Sequence, residues 1–283
     1  MASRRPSHVA ARVRPALFRA LGHAEPPADV VLQNESFQRE EVLKHDSWAA
    51  TGIYRSATGR RAICKFNRSQ PIGWIPMRWL GRVLARRERR CMARLEGVPG
   101  VPPDLGPVRV AGQILPHAVS RTYVAGHALA EGERVNDEFF PRLAETLAAV
   151  HARRMAHVDL HKRENIIVDD AGGPLLIDFQ ISFAAPEGRL GRILCGGLLR
   201  VLQRCDDYHL LKHRLKHRPD QVGCGPAEIE RLRPAWIRAH RWIAVPFRAC
   251  RRRFLAVSGI RGRCGMASSE AFPEIAHRPA HAA

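Results

Sequence analysis

Six side chains in this sequence have the types and the order needed to work on a phosphate ester: Lys65, Glu88, Asp159, Lys162, Asn165 and Asp178. Moving a phosphoryl group asks for cations on the phosphate oxygens, a carboxylate holding the principal cation, oxygen ligands for a metal ion, and a carboxylate that orients the attacking hydroxyl. Lys65 supplies the principal cation. Glu88 suits its holding, because Leu84, Glu88 and Met92 follow at i+4 and place an acid in the middle of an apolar stripe. The competing arrangement is a solvated Glu88 paired with Arg86, Arg87, Arg89 or Arg90, and Glu96 is a reserve partner for Lys65. Asp159 is the carboxylate expected to accept or orient the hydroxyl proton. Asn165 and Asp178 are oxygen ligands of the kind magnesium takes when phosphates fill most of its shell.

Three motifs carry these residues. Ala62-Ile63-Cys64-Lys65 has the form V-A-I-K, His157-Val158-Asp159 with Asn165 has the form of a catalytic loop, and Asp178-Phe179-Gln180 stands where D-F-G is expected. With them the sequence resembles the protein-kinase-like superfamily, most nearly the bacterial lipopolysaccharide kinase group acting on Kdo or core heptose. More distantly it resembles the RIO and aminoglycoside phosphotransferase branches. The resemblance covers residues 40–220 and is most specific over 157–183. It implies an α+β, two-lobed kinase-like fold: a small antiparallel-sheet lobe with one helix, a mostly helical second lobe, and ATP with Mg2+ between them. It also implies that Lys65 and Lys162 neutralise phosphate charge, and that the backbone at Tyr123 and Val124 binds adenine. Residues 46–52 would then cover the phosphates with backbone amides and with Ser47, Thr51 and Gly52.

The sequence departs from the commoner pattern in four places. Asn165 follows Asp159 by six residues where five is usual, so Leu160 or His161 is extra. The insertion could widen the loop for a bulky sugar, or displace Asp159. Gln180 replaces the glycine of D-F-G, which removes the residue most tolerant of positive φ. The covering loop has one glycine where G-x-G-x-x-G has three. No A-P-E motif follows, which argues for a non-protein acceptor, and the resemblance implies that this is a sugar or a lipopolysaccharide-type glycolipid. A serine/threonine protein kinase and a non-catalytic, nucleotide-binding scaffold are the alternatives.

Positioning these groups requires particular elements. Trp48 to Tyr54 and Ala62 to Phe66 read as a hairpin around Thr58-Gly59, with Lys65 and Ile63 on one face. A helix is expected from Met77 to Leu95, with Leu80, Val83, Leu84, Cys91, Met92 and Leu95 inward. Val108 to Leu115 and Ala118 to Val124 read as two strands with Gly112 at the turn between them. Pro141 to Arg153 reads as a helix, and Ile166 to Val168 with Leu175 to Ile177 as a hairpin. The expected divisions are a basic extension and linker over 1–40, an N-lobe over 41–122, a C-lobe with basic helices over 123–265 and a flexible tail over 266–283.

Across 283 residues the 45% hydrophobic share suffices for an ordinary core and excludes a fibrous or disordered chain. Forty-six basic against 27 acidic side chains give a formal charge of +19, which favours an anionic partner. Eight arginines stand against Glu88 alone between residues 68 and 94, beside Trp74, Ile75, Met77, Trp79 and Leu80. That mixture suits peripheral contact with an anionic membrane. Nucleic acid is disfavoured, because only 6% of residues are aromatic and no reading-head motif occurs. His209, His213 and His217 recur at i+4 and read as a solvated face. Seven cysteines without a C-x-x-C pair read as reduced thiols. No apolar run is long enough to span a bilayer, so a cytoplasmic protein is expected, peripheral at the inner face of the membrane if attached at all.

Overall fold

The computed structural model describes residues 16–223 and 225–237. Its architecture is the expected α+β arrangement in two lobes, each with its own core. The first lobe is a curled sheet in which β1 (Asp29–Leu32), β2 (Glu35–His45), β3 (Ala49–Ser56) and β4 (Arg61–Asn67) form an antiparallel meander. Helix α1 (Arg78–Arg94) follows, then the small hairpin of β5 (Arg109–Val110) and β6 (Gln113–Ile114), then β7 (Ala118–Thr122). The spatial order is β6-β5-β1-β2-β3-β4-β7. β1 and β2 therefore begin inside the stretch read as extension and linker. The run from Val108 to Leu115 is not one strand but a hairpin, because Ala111 and Gly112 both take positive φ.

Period-two alternation decides which side chains fill this lobe. Phe37, Ala50, Tyr54, Ala62, Cys64 and Phe66 point into the curl and are buried, and the Tyr54 hydroxyl donates to the Pro27 carbonyl at 2.7 Å. Ile63 and Lys65 therefore point to the other face, which α1 covers. The stripe that the helix turns inward is only partly the one expected: Cys91, Met92 and Leu95 are buried, whereas Leu80 and Leu84 are half-buried. Gly81, Ala85 and Glu88 are buried as well, and Val83 is 45% exposed. Gly81 sets this: a Cβ there would lie 2.3 Å from the Arg68 carbonyl oxygen, so only glycine lets the helix approach β4 so closely.

The second lobe contains β8 (Gly126–Ala128), α2 (Phe139–Ala152), β9 (Met155–Ala156), β10 (Ile166–Asp169), β11 (Pro174–Leu176), β12 (Phe183–Ala184), α3 (Arg189–His217) and α4 (Pro226–Arg231). β11, β10 and β8 form one small antiparallel sheet and β12 pairs with β9. Phe139, Phe140, Leu143, Leu147 and Val150 of α2 form its inward stripe, packed against Ile166, Leu176 and Phe179. The same core takes Cys91, Met92 and Leu95 from α1, so this helix belongs to both lobes. Among the described residues no helix is long and apolar enough to cross a membrane. Cys64, Cys91, Cys195 and Cys205 are free, and burial pushes the Cys64 thiol up to about 12. The tail expected over 266–283, residues 238–265 of the expected C-lobe and the first 15 residues of the extension expected over 1–40 lie outside the described residues.

Candidate active site

Strand β4 presents Lys65 to α1, and the ammonium meets two carboxylates. Its Nζ lies 3.1 Å from Oε2 of Glu88 and 2.7 Å from Oδ1 of Asp178. Glu88 is 6% exposed, and Glu96, the reserve partner, lies on the surface. Burial works against the charge on Lys65, but Glu88 and Asp178 outweigh it and hold its pKa above the ordinary value. Burial likewise raises Glu88. For Asp178 burial is outweighed by Lys65, then Lys162 and His157, and its pKa is lowered.

Asp178 sits in the left-handed region at φ 65° and opens a short 3-10 turn over Phe179–Ile181. Phe179 is buried edge-on against His157, with ring centroids 4.9 Å apart. The His157 Nε2 faces the Ile177 carbonyl at 3.0 Å; the carbonyl can only accept, so Nε2 carries the proton. The Ile177 amide in turn donates to the Asn165 carbonyl at 3.0 Å, which brings the strand leading to Asp178 alongside Asn165.

Asp159 is 3% exposed. Its Oδ2 accepts from Lys162 Nζ at 2.7 Å and from Asn165 Nδ2 at 3.2 Å, and its Oδ1 lies 3.3 Å from Nδ1 of His161. Asn165 Nδ2 also donates to the Asp159 carbonyl at 3.1 Å, closing the loop on itself. The six-residue spacing is absorbed by Leu160, whose side chain is fully buried in the second core, while His161 stays at the surface beside Asp159.

Several residues that shape the candidate site escaped the sequence reading. Val158 adopts φ 69°, a strained conformation for a β-branched side chain that costs on the order of 1–3 kcal/mol. Asp206 of α3, fully buried, holds it there: its carboxylate accepts the His157 amide at 2.6 Å and the Val158 amide at 2.8 Å. The signal was present, since Asp206 interrupts the apolar series Leu199, Leu202, Leu210 much as Glu88 interrupts its own. Arg121 of β7 stands opposite Ile63, on the Lys65 face, close enough to Glu88 and Asp178 to interact with both; burial lowers its pKa to about 10. The histidines of α3 are a correction to the solvated face expected. His213 meets the Leu160 carbonyl at 2.9 Å, His217 is 4% exposed, and His209 packs against His161, so all three lie against the second lobe.

The expected nucleotide-covering residues divide. Thr51 stands directly opposite Lys65 on the same sheet face. Ser47 does not join it, because its hydroxyl donates to the Phe18 carbonyl at 3.2 Å. Gly52 lies within β3 with its Cα hydrogen side toward Glu41 and Tyr54, away from Lys65. The Trp48 and Ala49 amides are engaged by the Asp46 carboxylate at 2.7 and 2.9 Å. The buried Arg68 donates to the Ser47, Leu17, Gln70 and Pro71 carbonyls and so ties the turn to the chain before β1. Between β7 and β8, the Tyr123 amide bonds the Arg61 carbonyl at 3.2 Å, whereas Val124 has no hydrogen-bond partner among the described residues.

A magnesium ion fits the donor set. The Asn165 amide nitrogen is engaged by Asp159, which leaves its oxygen, and Lys65 takes only Oδ1 of Asp178. Both remaining atoms are hard oxygens. Among the described residues no group of three or more His, Cys, Asp or Glu could hold a metal alone, so an ion here would draw further ligands from phosphate or water.

No family model matches the chain, and no curated protein matches it. Among solved structures it is similar to the Rio2 kinase in its ADP/Mg2+-phosphoaspartate complex from Chaetomium thermophilum, at 17% identity and a TM-score of 0.44. The match covers 70% of this chain and 62% of that one, so the chain spans about three fifths of that structure's length.

Proposed function

We propose that this chain is an ATP- and Mg2+-dependent phosphotransferase that moves the γ-phosphoryl group to a hydroxyl of a sugar or lipopolysaccharide-type glycolipid. The observation that carries the reading is the convergence of Lys65, Glu88 and Asp178, contributed by β4, α1 and the turn after β11. In this reading Glu88 holds Lys65, and Lys65 and Lys162 neutralise phosphate oxygens. Asp159 orients the acceptor hydroxyl and takes its proton. Asn165 and Asp178 hold the metal ion, which when bound offsets the negative charge of the phosphates. Thr51 lies beside the phosphates, and the free Val124 backbone groups meet the adenine edge. The N-lobe would end at residue 122 and the C-lobe begin at 123, with the hinge between them. A peripheral contact with an anionic membrane at its cytoplasmic face would bring a glycolipid acceptor within reach.

Nucleotide consumption in the presence of lipopolysaccharide core acceptors tests this. Asp159→Ala is expected to lower turnover by about 10²- to 10⁴-fold while leaving nucleotide affinity within a small factor. Equal turnover in the two proteins would remove Asp159 from its role. A second reading, a nucleotide-binding scaffold without turnover, is favoured by two observations: Asp178 is drawn onto Lys65, and Asp46 engages the amides expected to cover phosphates. It predicts magnesium-dependent ATP binding with no consumption at any acceptor. A serine/threonine protein kinase would instead label itself or a protein substrate.

A further inference from the structure

The segment between β4 and α1 forms a surface device that phosphoryl transfer does not use. Ile72 and Ile75 exchange both backbone hydrogen bonds, at 3.1 and 3.0 Å, around a two-residue turn of Gly73 and Trp74. Gly73 takes φ 58°, the geometry that such a turn asks of its first central residue. The result holds the Trp74 indole out at the tip, 91% exposed, with Ile72 at 40% and Ile75 at 44%. The hairpin is rooted at both ends: the buried Arg68 binds the Gln70 and Pro71 carbonyls on one side, and Met77 is buried on the other. It leads directly into α1, whose outer side carries Trp79, 58% exposed, and Val83. Beside them, at successive i+4 positions, run Arg78, Arg82 and Arg86, all exposed and none in an ion pair among the described residues. From residue 68 to residue 87 the chain holds no acid.

We infer that this hairpin and the outer face of α1 form a docking surface for an anionic lipid bilayer. Indole rings favour the headgroup level, where an apolar body and a polar N–H are both accommodated. Unpaired arginines one helical turn apart complement anionic headgroups. The charge selects a negatively charged surface, and a backbone-locked aromatic tip selects one that can be entered. The inference deepens the membrane-borne acceptor reading and rests on it for its purpose. The test reads binding without nucleotide or turnover, so either can fail alone.

The full-length protein is sedimented with vesicles of phosphatidylcholine alone and of phosphatidylcholine mixed with phosphatidylglycerol. Wild type is expected to bind the mixed vesicles in preference, and raised salt to weaken binding. Trp74→Ala with Trp79→Ala, and separately Arg78→Gln with Arg82→Gln and Arg86→Gln, are each expected to lower vesicle affinity by about tenfold or more with unchanged melting temperatures. Equal binding of wild type to both vesicle types overturns the inference. So does full binding by the tryptophan variant, which would assign the attraction to arginines elsewhere. A lowered melting temperature of that variant would mean that the indoles pack on this chain itself. Trp74-dependent self-association without vesicle binding would make the surface a protein contact instead.

Discussion

Lys65 and Arg121 bring two positive charges to the neighbourhood of the Glu88 and Asp178 carboxylates, so the set is neutral with all four groups ionised. Removing one cation leaves a carboxylate in a place it cannot leave. Lys65→Met is therefore expected to abolish turnover and also to destabilise the fold by about 3–5 kcal/mol, the usual cost of stranding a buried charge. Adding Glu88→Gln should recover part of that stability and none of the activity, as urea unfolding and an ATP-consumption assay would show. A Lys65→Met protein that unfolds like wild type would mean the ammonium contributes nothing to holding α1. The lowered pKa of Asp178 adds stability that is present above the ordinary aspartate range and lost as pH falls through the depressed folded value. The raised pKa of Lys65 adds stability that is lost only as pH climbs through its elevated folded value.

At the scale of elements, α3 is the platform for the loop over residues 157–165. Asp206 fixes the strained Val158 from below, and the Met155 and His151 carbonyls accept from Gln203 at 3.0 and 3.1 Å. One and two turns further, His209 and His213 support Leu160 and His161. Burial lowers both imidazoles to about 4, His209 also feeling His161, His213 and Lys212, and His213 also His217, Lys212 and Lys216. Asp206 works the other way on His209, and the Leu160 carbonyl does so on His213. Their folded pKa values lie below the ordinary 6.5, so the unfolded chain binds more protons between pH 6.5 and about 4 and stability rises with pH across that window. His209→Gln with His213→Gln should flatten this dependence by roughly two protons, measured by urea unfolding at several pH values. An unchanged slope would place the titrating groups elsewhere.

For the whole molecule, the two cores are joined by α1. Its middle turn faces Lys65 of the first lobe, and its last turns pack with Leu147 and Phe179 of the second. Phe179 is the hub, 1% exposed between that helix and His157. The lobes should unfold in one calorimetric transition, and Phe179→Ala should lower its midpoint without splitting it, with a stability loss of about 3–5 kcal/mol. Two separated transitions would show that α1 does not couple the lobes.

The identities and order of the chemical groups, the hairpins β3–β4 and β10–β11, and helices α1 and α2 were legible because each has a local cause: alternation at period two, a stripe at 3.6, and Gly or Asp at the turns. The inward face of α1 was legible only in part, because the close approach permitted by Gly81 rotates the stripe toward Arg68, a contact that hydrophobic periodicity does not encode. Tertiary structure alone decided that Lys65 meets Asp178 across 113 residues, that Asp206 underlies the loop holding Val158 and Asp159, and that Ser47 turns to Phe18 while the Asp46 carboxylate engages the neighbouring amides. A side chain's type says which bonds it can make. Which bond it does make depends on the partners that packing brings within 3 Å, and those come from distant segments that leave no periodic trace in the chain.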